Sequence, residues 1–243
     1  MNTWKTLLFA LVVASPCLAA ETVPLKELVW SQSDGLRKEI YHSAQSAAGW
    51  SLPQQLTDSN ANKLHPAFVI TPDKSRWIFW SAVNPDGIGI EYLTGKEGTW
   101  TQPSKIETSQ ASAITPTALV GPDQTLWLVW AGNDGGQDDI YWTRYINAAW
   151  QPPRQVNSAN QTPDVKPELL LNKQGQLELR WQGFRNGKYT KLVAVYTDQA
   201  WSAEQELILE EEEELEAPDE LPDFLPADSQ YVLLAVPADT EVK

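Results

Sequence analysis

The chain has 243 residues, with 32 acidic side chains against 18 basic ones and a formal net charge of −14. So acidic a surface repels phosphate backbones and anionic headgroups, which excludes nucleic acid and acidic membranes as partners on electrostatic grounds. The single cysteine, Cys17, and the two histidines, His42 and His65, leave little for a disulfide framework, a histidine metal site or a Ser-His-Asp triad.

The first element in chain order is a leader. Lys5 precedes an apolar run from Thr6 to Ala14 that is too short for a permanent membrane span, and Cys17-Leu18-Ala19-Ala20 provides small residues before Glu21. Residues 1–20 are therefore expected to be a signal peptide, cut after Ala19 or Ala20. That predicts a periplasmic or secreted protein with no membrane insertion after cleavage. The alternative is a lipoprotein signal acylated at Cys17, but Pro16 stands where a small residue is wanted. Cleavage leaves 17 basic and 32 acidic side chains, a net charge of −15, and removes the only cysteine. The mature chain then has no thiolate nucleophile and no Cys-ligated metal.

Residues 21–209 are organised by tryptophan. Trp30, Trp80, Trp130 and Trp181 recur at spacings of 50, 50 and 51, and Trp50, Trp100, Trp150 and Trp201 follow twenty residues behind them. In the second copy, His65 to Ile70 reads as a short strand, Thr71 to Ser75 as a turn, and Arg76 to Trp80 as a second strand. Asn84-Pro-Asp86-Gly87 turns the chain into a third strand, Ile88 to Leu93, and a fourth begins at Trp100. The third copy matches from Thr115-Pro116 to Trp150, and the fourth, with Lys166-Pro167 and Asn186-Gly187, is a weaker one. Four short strands joined by tight Asp-Gly or Asn-Gly turns make one blade-sized antiparallel meander. A blade cannot bury both faces alone, so the copies are expected to pack around an axis with the repeated tryptophans between them.

After these repeats come Glu210 to Glu216 and Asp219-Glu220, an acidic stretch over residues 210–220 that reads as a solvated linker rather than a cation-binding tail. Residues 221–243 resume the strand pattern. Pro66, Pro116 and Pro167 lie fourteen residues before their tryptophans, but the equivalent of Pro66 for Trp30 is Pro16, inside the leader. The first copy thus lacks its innermost strand. Leu221 to Leu225 is similar to His65 to Val69, and Tyr231 to Val236 to Arg76 to Trp80, so the C-terminal segment is expected to complete the first blade. The fold class expected is all-β: a small propeller of about four four-stranded blades, closed by N- and C-terminal strands in one composite blade. An open arc that closes by oligomerisation is the alternative.

The pattern of Pro, apolar strand, Pro-Asp turn, Trp-ended strand, Asp-Ile-Tyr and Trp, seen best in Pro116 to Pro153, resembles the repeats of sialidase-like (BNR-type) bacterial propellers. The resemblance covers most of Leu28 to Leu209 and implies architecture, not activity. It departs from the family at its Asp-box: Thr71-Pro-Asp-Lys-Ser-Arg-Trp77 is one residue short and lacks the glycine. The arginine triad of sialidases is also missing, since Arg37, Arg76, Arg144, Arg154, Arg180 and Arg185 stand in other contexts. No catalytic set is complete.

Carboxylates gather at the turns between second and third strands: Asp34, Asp86, Asp134, Asp138 and Asp139. Asp before Gly is what a tight hairpin requires, and only Asp138 and Asp139 lie outside that rule. They are the candidates for acid/base work in a glycan-cleaving enzyme. The third strands also carry Tyr41, Tyr92 and Trp142, with Arg144 beside the last. Aromatic rings beside Arg or Asp are a way to hold a sugar. The expected function is a non-catalytic binding or interaction module for a protein or glycan, with no cofactor and no metal. The alternatives are a lectin-like propeller using Trp142, Arg144 and Asp139, and a glycosidase using Asp138 or Asp139.

Overall fold

The computed structural model describes residues 25–156, 160–208 and 221–236. The leader and the acidic stretch fall outside these residues. Everything described is strand, turn or connection. The first repeat contributes β1 (Lys26–Ser33), β2 (Lys38–Ser46), β3 (Gly49–Trp50) and β4 (Gln54–Gln55). The second contributes β5 (Asn62–Ile70), β6 (Arg76–Asn84), β7 (Gly87–Lys96), β8 (Thr99–Trp100) and β9 (Ser104–Lys105). The third contributes β10 (Ser112–Val120), β11 (Leu126–Asn133), β12 (Asp138–Ile146), β13 (Ala149–Trp150) and β14 (Arg154–Gln155). The fourth contributes β15 (Asp164–Leu171), β16 (Leu177–Arg185), β17 (Lys188–Thr197), β18 (Ala200–Trp201) and β19 (Gln205–Glu206), and β20 (Gln230–Ala235) ends the described chain.

Within each unit the strands form an antiparallel meander in sequence order. Units two and three are also joined through one parallel bridge, Ser112 to Ile88. The turn residues act as their chemistry dictates. Asn186 and Gly187 both have positive φ, 51° and 81°, the conformation that lets a two-residue hairpin follow the strand twist. In β5, β10 and β15 the register shifts at His65-Pro66, Thr115-Pro116 and Lys166-Pro167. Proline has no N–H for the ladder, so each inner strand bulges there, with His65, Thr115 and Lys166 at φ of 51–54°. The freed N–H groups reach a neighbouring element: Thr115 N donates to Ser81 Oγ at 3.0 Å, and His65 N to Gln230 Oε1 at 2.8 Å.

The units stack face to face through three apolar clusters. Val29 and Ile40 meet Phe68, Ile78 and Trp80 between units one and two. Trp77, Phe79 and Ile90 meet Leu128, Trp130 and Tyr141 between units two and three. Trp127, Val129 and Trp142 meet Leu179, Trp181 and Leu192 between units three and four. Trp30, Trp80, Trp130 and Trp181 are all buried, each supplying ~4–6 kcal/mol of apolar transfer at about 25 cal/mol per Å². The second series is half-buried and lies over the preceding unit: Trp100 edge-on to His42, Trp150 against Trp77 and Tyr92, Trp201 against Trp127 and Trp142.

The ends correct two expectations. β20 pairs antiparallel with β1, from Lys26 opposite Ala235 to Ser31 opposite Gln230. It therefore takes the place of the missing innermost strand, not of a second strand, and no surplus strand arises. Leu221 to Leu225 is no strand at all; Phe224 instead lies against Trp30, with ring centroids 5.7 Å apart.

Nor does the ring close. No apolar cluster joins the fourth unit to the first among the described residues. The positions that are Trp127, Val129, Ala131 and Ile140 in unit three become Glu178, Arg180, Gln182 and Lys191 in unit four. Strand β16 accordingly alternates buried and half-exposed residues, whereas β11 is buried on both faces. A polar outer face is how a stacked array ends. At the other end, the tail residue Phe224 covers Trp30 where a preceding unit would have stood.

Candidate functional site

The residues singled out in the sequence do not converge on one place. Tyr41 stacks on Trp30 in unit one, with its hydroxyl donating to Gln55 Oε1 at 3.1 Å. Burial, with Asp34 and Glu39 nearby, pushes its phenol above the usual range. Tyr92 stacks on Trp77, 5.5 Å away, on the opposite sheet face and inside the junction with unit three. Two of the turn carboxylates are occupied by the backbone: Asp34 Oδ1 accepts from Leu36 N and Arg37 N, and Asp134 Oδ1 from Gly136 N.

Asp138 and Asp139 begin β12 side by side but point to opposite faces. Asp138 Oδ1 accepts from Asn133 Nδ2 at 3.2 Å. Asp139 is 6% exposed, and its Oδ1 has no hydrogen-bond partner. Burial pushes its carboxyl above the ordinary range, and the charge of Asp164 adds to that. Asp164 itself is engaged by Trp181 Nε1 at 3.0 Å and by Arg185. No group of three or more potential metal ligands comes together among the described residues.

Trp142 and Arg144 do come together. Trp142 lies in the junction between units three and four, 4% exposed, stacked on Trp127 at 5.0 Å. The Arg144 guanidinium lies 4.9 Å from the Trp127 ring centroid and 5.5 Å from that of Trp142. A second guanidinium, that of Arg154, lies 5.4 Å from Trp142. The cause is register: Arg154 on β14 pairs opposite Trp142 on β12. Trp142, Thr143, Arg144, Gln151, Pro152 and Arg154 line an open depression of about 410 Å³. Thr143 Oγ1 donates to Gln151 O at 2.6 Å and fastens the wall. Arg154 was not singled out from the sequence, because nothing linear says which fourth-strand residue faces Trp142.

No protein-family model matches the sequence, and no curated protein matches it. Solved structures do match. A protein of unknown function from Dyadobacter fermentans superposes with a TM-score of 0.58 at 11% identity, over 70% of this chain and 58% of its own. The endo-arabinase of Bacteroides thetaiotaomicron gives 0.51 at 14% identity, over 88% and 90%. A PL25 polysaccharide lyase, an ulvan lyase bound to -[GlcA(1-4)Rha3S]-, gives 0.52 at 11%, over 74% and 53%. The chain thus spans little more than half the length of the first and third of these. At such identities the likeness is one of fold: all-β and propeller-like, among proteins that include glycan-acting enzymes, and not specifically of the sialidase type.

Proposed function

We propose that this chain is an exported, non-catalytic, four-bladed propeller-like module that binds a glycan at the depression beside Trp142. The observation that carries the reading is that depression, where the guanidiniums of Arg144 and Arg154 flank a buried indole at the junction between units three and four. Its lining contains no carboxylate, so it offers recognition without an acid/base pair. Two of the similar structures carry glycan-acting names, and one was solved with a saccharide bound, which favours a glycan over a protein ligand.

The glycosidase reading draws on the raised carboxyl of Asp139. Against it, Asp139 is buried and its neighbour Asp138 is tied to Asn133. A glycan array probed with the labelled mature chain, run beside a chromogenic glycoside panel, separates the readings. Retention on a defined glycan class without turnover supports the proposal. Turnover, or no retention on any glycan, refutes it.

A further inference from the structure

We infer that the depression selects acidic glycans, with the carboxylate of a uronate or a sulfate ester held between Arg144 and Arg154. The inference rests on the glycan-binding reading and adds the charge of the ligand.

The first argument is one of pairing. The chain has six arginines. Arg37 is paired with Glu39, Arg76 with Glu27, Arg180 with Glu178, and Arg185 with Asp164 and Glu204. Arg144 and Arg154 have no carboxylate partner among the described residues, although acids outnumber bases 32 to 18 in this chain. Both flank the same indole, so their guanidinium carbons lie within about 11 Å of each other. Two like charges left together in an acidic protein are held against their mutual repulsion unless an anion joins them.

The second argument is the repeat itself. The counterparts of Arg144 are Ala44, Thr94 and Val195, and those of Arg154 are Gln54, Ser104 and Gln205. The scaffold needs no cation at either position in the other three units. Both substitutions fall in unit three, on strands whose register brings them to one ring.

The third argument is geometry. A guanidinium lying over an indole uses its flat face for the ring and leaves its in-plane N–H donors for an oxyanion. Arg144 Nε is buried with no hydrogen-bond partner, a donor still unmet by the protein. Pro152, exposed on the lining, supplies an apolar surface that a sugar ring would lie against, with the Trp142 indole buried behind it.

The test is calorimetric titration of the mature chain with oligogalacturonate, a sulfated oligosaccharide, inorganic sulfate and a neutral arabino-oligosaccharide. Acidic oligosaccharides should bind at least about tenfold more tightly than the neutral one, and more weakly as salt is raised. The two acidic arms distinguish carboxylate from sulfate. Arg154→Gln, which alters an exposed side chain, and Arg144→Lys, which keeps the charge but loses the planar fork, should each weaken the acidic ligand about tenfold or more with thermal stability unchanged. Arg180→Gln, on the far face of unit four, should leave affinity as it was. If neutral and acidic ligands bind alike and Arg154→Gln has no effect, the charge selectivity is wrong and the glycan reading stands. If sulfate alone binds as well as the oligosaccharides, the site is an anion site and not a glycan site. If nothing binds, both readings fall.

Discussion

The junction between units one and two and that between units three and four occupy the same repeat positions with opposite chemistry. At the first junction Glu27 stands where Trp127 stands at the second, and His42 where Trp142 stands. Arg76 Nε donates to both Glu27 oxygens at 2.7–2.9 Å, and His42 Nε2 lies 2.8 Å from Glu27 Oε2. Burial alone would raise the Glu27 carboxyl, but hydrogen bonds from His42 and Arg76 outweigh it and hold the carboxyl down to about 2. Nearby, the buried Glu39 meets the Lys63 ammonium at 2.8 Å. The second junction has Asp139 and Asp164 at those places, two acids with the cation moved to Arg185. One packing frame thus accepts a satisfied ionic network at one end and an aromatic stack with spare cations at the other. The spare cations, Arg144 and Arg154, both lie on unit three.

This contrast can be broken at three points. Removing the stack is expected to cost most: Trp127→Ala empties a site 1% exposed and should destabilise by about 3–5 kcal/mol, with little dependence on pH. Denaturant unfolding at two pH values measures it. Next, Glu27→Gln leaves Arg76 and His42 facing a neutral amide with one acceptor oxygen in place of their carboxylate and should cost about 2–4 kcal/mol at neutral pH. Because the folded carboxyl is lowered, its contribution is complete above the ordinary value of 4.5 and is lost as pH falls toward about 2. The gap between wild type and variant should therefore close over that window. The smallest effect has the opposite sign. Asp139→Asn removes an acid whose folded carboxyl is raised, so its ionisation opposes folding increasingly as pH rises above the ordinary 3.8 and fully above that raised value. The variant should be more stable at neutral pH by about 1 kcal/mol and no better below 3.8, as thermal melts would show.

Much of the scaffold is legible in the sequence because tryptophan spacing is a direct record of stacking: Trp80, Trp130 and Trp181 each fill the junction with the preceding unit. The ends were less legible for a physical reason. Tyr231 to Ala235 is a short apolar strand that matches an inner or a second strand equally well, and only pairing decides between them. The polar residues Glu178, Arg180, Gln182 and Lys191 make unit four read as a weak repeat, when they are the surface of an end unit. At the candidate site, Trp142 and Arg144 share a strand and a face, since side chains two apart point the same way. Arg154 joins them through a strand pairing that no linear pattern encodes.

The central claim is that ligand binds beside Trp142. The most direct measurement is a titration of the isotope-labelled protein with an acidic oligosaccharide, followed on the tryptophan side-chain N–H resonances. A shift concentrated at Trp142, with Trp80 and Trp130 unmoved, is the predicted result. Shifts confined to other tryptophans, or no shift at saturating oligosaccharide, would contradict it.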